Sequence, residues 1–314
     1  MKTVLSNEHV HSKFGEGPLW DQEMERLFWV DIMDKRIQVY YPKTNQEESY
    51  KLPNPPMALV KYSKHELIVI MQDGFYLYNL QKQTLQEILK PEGLNEKLLL
   101  NDSKCDPQGR IWVGSVNDDF RLFKEKENAP NTEFKGNIAS LYRLNRNLDI
   151  KLAKEKVTLS NGLDWDPVRN LMYYIDSATQ SVFQFQYDPF TGQISKEDIV
   201  YTFEESDGLP DGMTIDQDGM LWVALFKGGV VAKVNPFEKK WVDSITLPTR
   251  NVTSCVFGGE DLKTLYITTA AELPTEYEEN QYTLGGCLFS VKLEVGGYQT
   301  NTFQGNLKES IYRY

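Results

Sequence analysis

The sequence predicts an all-β fold, a six-bladed β-propeller with four-stranded blades around a central channel. A phrase made of a short apolar strand, a turn bearing Asp, Gly or Asn, and a second strand centred on an aromatic recurs six times along the 314 residues, four times clearly and twice weakly. Such self-similarity marks a repeat architecture, and a spacing of ~40–60 residues leaves room for the four strands of a propeller blade. Helical periodicity is nearly absent, with one short helical turn expected around 91–100.

The copies follow in chain order. The first is Gly15-Glu16-Gly17-Pro18-Leu19-Trp20-Asp21, then Arg26-Leu27-Phe28-Trp29-Val30-Asp31, and the weaker second pairs 57–62 with 66–70. The third runs from Asn101-Asp102-Ser103-Lys104-Cys105-Asp106 to Ile111-Trp112-Val113-Gly114. The fourth runs from Asn161-Gly162-Leu163-Asp164-Trp165-Asp166 to Met172-Tyr173-Tyr174-Ile175-Asp176. The fifth joins Asp211-Gly212-Met213-Thr214-Ile215-Asp216 to Leu221-Trp222-Val223, and the weaker sixth joins 253–258 to 264–267. Alternating apolar and polar residues after each pair (38–41, 75–78, 140–144, 182–185, 230–234, 288–291) supply third strands, since alternation is the period of a half-buried strand. Turn-rich segments such as Asp188-Pro189-Phe190-Thr191-Gly192 lead into fourth strands such as 199–202. An N-terminal strand is expected to pair with the last blade and close the ring. Residues 1–314 thus read as one domain, with a polar, charged insertion at about 117–136. The recurring Trp29, Trp112, Trp222, Tyr174 and Tyr266 share a phase that suits packing between blades.

Composition excludes several classes. A net charge of −11 with no Lys/Arg-rich run gives no surface for nucleic acid, whose phosphates are bound by basic residues. No stretch approaches the ~20 apolar residues of a membrane helix, and the first residues carry no signal-peptide apolar region, so a cytoplasmic protein is expected. Three cysteines without metal-binding spacing, Cys105, Cys255 and Cys287, are expected to pack as small apolar residues. There is no GxSxG elbow, P-loop or dinucleotide-binding glycine motif.

Repeat phase locates a site. In a propeller the innermost strands converge on the channel, so residues at one phase face one another across the axis. Five positions before the turn aspartates stand Glu16, Asn101, Asn161 and Asp211, with Met57 and Thr253 at the equivalent places in the weaker blades. Gathering carboxylates away from water costs several kcal/mol without compensation, so a positive partner is expected among them. None of the three histidines, His9, His11 and His65, lies at this phase. Carboxylate and amide oxygens suit one hard divalent cation, Ca²⁺ above all, with Mg²⁺, Mn²⁺ or Zn²⁺ as alternatives. The competing interpretation of Asn161-Gly162 and Asp211-Gly212 is that they are ordinary turn dipeptides.

Gly15-Glu16-Gly17-Pro18-Leu19-Trp20, Ser160-Asn161-Gly162-Leu163-Asp164-Trp165, Tyr173-Tyr174-Ile175-Asp176-Ser177 and Leu209-Pro210-Asp211-Gly212-Met213-Thr214-Ile215-Asp216 resemble the family of regucalcin (senescence marker protein), gluconolactonases and luciferin-regenerating enzyme. Thr253-Ser254-Cys255-Val256-Phe257-Gly258-Gly259 and Gly285-Gly286 extend the resemblance over nearly the whole chain. It implies a six-bladed propeller with one catalytic divalent metal in the channel, held by Glu16, Asn161 and Asp211. It also implies substrate contacts from Asn101 and Asp119. Where the family's sugar-lactone hydrolases commonly carry Arg two residues before that Asn, this chain has Leu99, and Arg121 or Lys124 of the insertion could stand in for it. The expected activity is lactone hydrolysis on a small-molecule substrate, with Asp211 or metal-bound water as base and Asn101 as an oxyanion donor. A non-catalytic metal-binding propeller and a hydrolase of phosphoester or nitrile bonds are the alternatives.

Overall fold

The computed structural model describes residues 4–92, 94, 97–117, 137–271 and 284–307. They form six four-stranded antiparallel sheets, each a meander in sequence order except the last. The first blade is Gly15–Asp21, Arg26–Asp31, Arg36–Tyr41 and Gln46–Lys51, and the second is Pro56–Ser63, Glu66–Met71, Gly74–Asn79 and Thr84–Leu89. The third is Leu98–Cys105, Ile111–Asn117, Ala139–Leu144 and Ile150–Val157, and the fourth is Ser160–Asp166, Leu171–Asp176, Ser181–Tyr187 and Ile194–Thr202. The fifth is Leu209–Ile215, Leu221–Phe226, Val230–Asn235 and Lys240–Thr246. The sixth takes Val252–Gly258, Thr264–Thr269 and Cys287–Lys292 from the end of the chain and Val4–His11 from its beginning. This is the closure expected from sequence, and it leaves the last blade no unpaired strand of its own.

Burial peaks at the second strand of a blade and is least at the outermost. Second strands such as Arg26–Asp31 and Ile111–Asn117 are buried at every residue, whereas the outermost Gln46–Lys51 is exposed at nearly all of them. The core lies between blades: Leu19, Phe28 and Val30 of the first blade pack on Leu59, Leu67 and Val69 of the second. Trp222 and Ala224 of the fifth likewise meet Cys255, Phe257 and Ile267 of the sixth. The aromatic phase is therefore structural, Trp29, Trp112, Trp222, Tyr174 and Tyr266 all being buried, and the three cysteines are free and buried.

The aspartate that ends each strong inner strand bolts its blade together. Asp106 accepts from the backbone N–H of Gln108 (3.0 Å) and Arg110 (2.9 Å), from Arg110 Nε (2.7 Å) and from Trp112 Nε1 (2.9 Å) on the next strand. Asp216 repeats this with Asp218, Met220 and Trp222 Nε1. A carboxylate accepting several N–H bonds is cheap to bury, which is why these positions tolerate charge.

Two expectations are corrected. Leu98, Leu99 and Leu100 open an inner strand rather than a helical turn, because their backbone pairs with Asn117, Val116 and Ser115 of the next strand. The helical content among described residues is two single 3-10 turns, Ser177–Thr179 and Glu205–Asp207. Asn117, expected to begin the insertion, is the last residue of a strand and donates its N–H to Thr158 O. The rest of the insertion lies outside the described residues, and with it Asp119, Arg121 and Lys124. No described helix is long and apolar enough to cross a membrane.

After the last strand, residues 297–307 cross one end of the channel. Gly297 bridges to Asp216, Phe303 N–H donates to Lys61 O, and the Phe303 and Leu307 side chains are buried between the second and third blades.

Candidate functional site

Every inner strand carries one extra residue at the phase picked out by the repeat. Glu16 pairs with Val30 and Leu19 with Phe28, so three steps on the inner strand span two on its partner. The same excess occurs between Leu100 and Ser103, Ser160 and Leu163, and Pro210 and Met213, and in shorter form between Pro56 and Ala58 and between Val252 and Ser254. A β-bulge leaves its residues unpaired and re-aims their side chains. Asn161-Gly162 and Asp211-Gly212 are thus bulges inside buried strands, not turn dipeptides.

The bulges need small neighbours. A Cβ on Gly212 would lie 2.0 Å from Ser254 Oγ and 2.8 Å from its Cα, and one on Gly162 would lie 2.6 Å from Asp211 O. Both glycines let adjacent inner strands approach closely enough for their side chains to share one site. Gly212→Ala is expected to lower stability by roughly 1–3 kcal/mol, the scale of overpacking, because the clash reaches the Ser254 backbone; thermal unfolding of the variant checks this.

Around the axis the six phase positions divide by chemistry. Thr253 is fully buried and donates to Gly15 O (2.6 Å), tying the sixth blade to the first, and Met57 packs against the core of the second and third. The other four face the site. Asn101 Nδ2 donates to Ser160 O (2.7 Å) and to Asn161 Oδ1 (3.0 Å), while Asn161 Nδ2 donates to Ser177 Oγ (2.7 Å), which donates onward to Pro210 O (2.5 Å). The amide of Asn161 is thereby held with its nitrogen in the protein and its oxygen toward Asn101. Both N–H groups of Asn101 are thus engaged, by Ser160 O and by Asn161 Oδ1.

Glu16 and Asp211 come from opposite ends of the repeat and are brought close enough to feel each other's charge. Loss of hydration pushes Glu16 up to about 8, and the charge of Asp102 adds to this against the Gly17 N–H that donates to Glu16 Oε2 at 2.8 Å. Asp211 is driven well above the usual carboxylate range by the same loss of hydration, then by Glu16 and Asp102. Among the described residues no side-chain cation is bonded to any of the three. Asp102 itself is pushed up to about 6, mainly by desolvation.

Asp102 is the site residue that repeat phase missed. In a regular strand the residue after Asn101 faces away from it, but the bulge lets both turn toward the channel, where Asp102 lines a cavity of about 220 Å³. That cavity is lined by Asp102 but not by Glu16 or Asp211, and it reaches the crossing segment 298–301, with Lys104, Asp164 and Thr214 on its wall. Leu99 is half-buried on the inner strand opposite Val116.

The donors fit a hard cation. Two or three carboxylates with raised proton affinity and one fixed amide oxygen are what an oxygen-ligated divalent ion neutralises. Among the described residues no three His, Cys, Asp or Glu side chains form a cage by themselves, so the Asn161 oxygen would be part of any ligand set.

Residues 14–271 match the SMP-30/Gluconolactonase/LRE-like region. The chain is 50% identical over 307 residues to "Putative sugar lactone lactonase YvrE" of Bacillus subtilis (strain 168), covering 98% of this chain and 100% of that one. It is 32% identical over 292 residues to regucalcin of Oryctolagus cuniculus, covering 93% and 95% of the two chains. Luciferin-regenerating enzyme superposes with a TM-score of 0.86 at 28% identity, covering 97% of this chain and 100% of that structure. A six-bladed ring and a sequence match spanning five-sixths of its length lead to one conclusion: the chain belongs to the SMP-30/gluconolactonase/LRE-like family.

Proposed function

We propose that this protein is a divalent-cation-dependent lactonase that opens small cyclic esters in its central channel. The observation that carries the proposal is the meeting of Glu16 and Asp211, with Asp102 beside them, without a bonded cationic side chain among the described residues. Membership of a family that includes lactonases supports the bond type.

Glu16, Asn161 and Asp211 would hold the cation, Ca²⁺ by the hardness of the donors, with Mg²⁺, Mn²⁺ or Zn²⁺ as alternatives. When bound it would supply a Lewis acid for the ester carbonyl and lower the pKa of a neighbouring water. Asp211 is the group to accept a proton from the attacking water. Its neighbours Glu16 and Asp102 raise its basicity, while neutralisation of the cluster lowers it. Asn101 offers Oδ1 to a substrate hydroxyl, and Asp119 is proposed as a second hydroxyl acceptor by resemblance. Leu99, in place of an arginine, makes the nearby wall apolar and favours a ring with fewer polar substituents.

The test is pH-stat titration of ester hydrolysis on aldonolactones and on alkyl-substituted γ- and δ-lactones, with chelator treatment and single-metal add-back. Chelator-sensitive turnover restored by one divalent metal is expected, with the alkyl lactones preferred. Calcium binding without turnover on any lactone would sink the lactonase proposal and leave the binding propeller or another scissile bond.

A further inference from the structure

Three residues beyond the site phase, the inner strands contribute a second ring to the channel wall: Leu19, Val60, Lys104, Asp164, Thr214 and Val256. Half of this ring is polar, and the polar half belongs to the third, fourth and fifth blades, the three that carry Asn101, Asn161 and Asp211. Lys104 Nζ reaches Asp164 Oδ2 on the next blade at 2.6 Å and Met213 O on the blade after at 3.2 Å. Asp164 Oδ2 also accepts from Thr214 Oγ1 (3.1 Å) and the Ile215 N–H (3.2 Å), and Asp164 Oδ1 accepts from its own strand at the Trp165 N–H (2.9 Å). One carboxylate thus ties three inner strands together immediately past their bulges.

An ion pair there has no obvious use for stability. The apolar residues Leu19, Val60 and Val256 fill the same position in the other blades, and a partly exposed ion pair adds little to stability. Bulged residues, however, lack ladder partners to fix them. On one side of the three bulges the spacing is set by Asn101 to Ser160 and by Asn161 through Ser177 to Pro210. Among the described residues, the Lys104–Asp164 group does so on the other. We propose that Lys104 and Asp164 are positioning residues whose bonds across three blades hold Asn101, Asn161 and Asp211 at the separation a divalent cation requires. This rests on the cation reading above.

The test is calorimetric titration of the chelator-stripped full chain with calcium chloride, alongside its cation-free melting temperature. Lys104→Met/Asp164→Leu keeps net charge constant and matches the apolar half of the ring. Its Kd for calcium is expected to rise about 10- to 100-fold, the usual cost of losing the groups behind a metal's ligands, in a variant that still folds although the Trp165 and Ile215 N–H groups lose their acceptor and lower its melting temperature. Lys104→Met alone separates position from charge. Removing a cation near the site should tighten calcium binding if only charge matters, whereas weaker binding is expected here. Should the double variant fail to fold, Thr214→Val, which removes one bond of the group and no charge, is expected to raise Kd by a smaller factor. Unchanged affinity in a folded double variant, or in Thr214→Val, would overturn the proposal, as would tighter binding by Lys104→Met. A wild-type chain that takes up no calcium would overturn the cation reading itself, a result distinct from calcium binding that ignores these substitutions.

Discussion

Asp211→Ala is expected to abolish both calcium binding and lactone turnover, and at the same time to raise the melting temperature of the cation-free protein by a few degrees. The two halves have one cause. Asp211 is buried and has no bonded cation among the described residues, and its charged form is opposed by lost hydration and by Glu16 and Asp102. Without a metal it is a liability to the fold; under the proposed function a bound metal would make it a ligand and a base. Loss of turnover should be roughly 10³-fold or more, the scale of removing a principal catalytic group. Asp216, five residues on, makes the control. It too is buried, but it accepts from Asp218, Met220 and Trp222, so Asp216→Ala leaves three N–H donors without their acceptor and should destabilise the protein with or without calcium. Calorimetry of both variants, with and without calcium, checks the contrast. A fall in the cation-free melting temperature of Asp211→Ala would mean that Asp211 is a structural member like Asp216.

The ring of blades was legible because repetition carries phase, and phase survives ignorance of distances. The same strand position read six times found Glu16, Asn101, Asn161 and Asp211, and it separated them from Met57 and Thr253, which the fold spends on packing and on the bond to Gly15 O. What it could not show follows from the assumption inside it. Phase treats each strand as strictly alternating, and the inner strands are not: each holds one extra residue at the site itself. Asp102 was lost for that reason, and the bond between Asn101 and Asn161 was not foreseen because hydrogen-bond partners sixty residues apart leave no trace in spacing. The glycines after Asn161 and Asp211 were the available signal, since a small residue beside a polar one inside an apolar strand marks a bulge or a close backbone approach.

Calcium affinity is expected to rise steeply with pH between about 6 and 8 and to level off above that. In the cation-free protein Glu16 keeps its proton up to about pH 8, whereas a glutamate in the unfolded chain releases it near 4.5. Between those values the folded state binds more protons than the unfolded state, so the cation-free protein loses stability as pH rises from 4.5 to 8. Asp211, raised in the same direction, and Asp102, raised to about 6, add to that loss. A cation can bind only the ionised carboxylates, so over the same interval it must displace protons, and each proton displaced makes the apparent Kd fall by up to about tenfold per pH unit. The two effects reinforce each other. The melting temperature without calcium should decline from pH 6 to 8.5 while the gain produced by saturating calcium widens, since a ligand that binds only the folded state stabilises it in proportion to ln(1 + [L]/Kd). Titrations in buffers of different ionisation enthalpy would measure the proton release directly. A calcium affinity that is flat between pH 6 and 8, with no protons released, would show that Glu16 and Asp211 are already ionised in the free protein and that some other positive group holds them so.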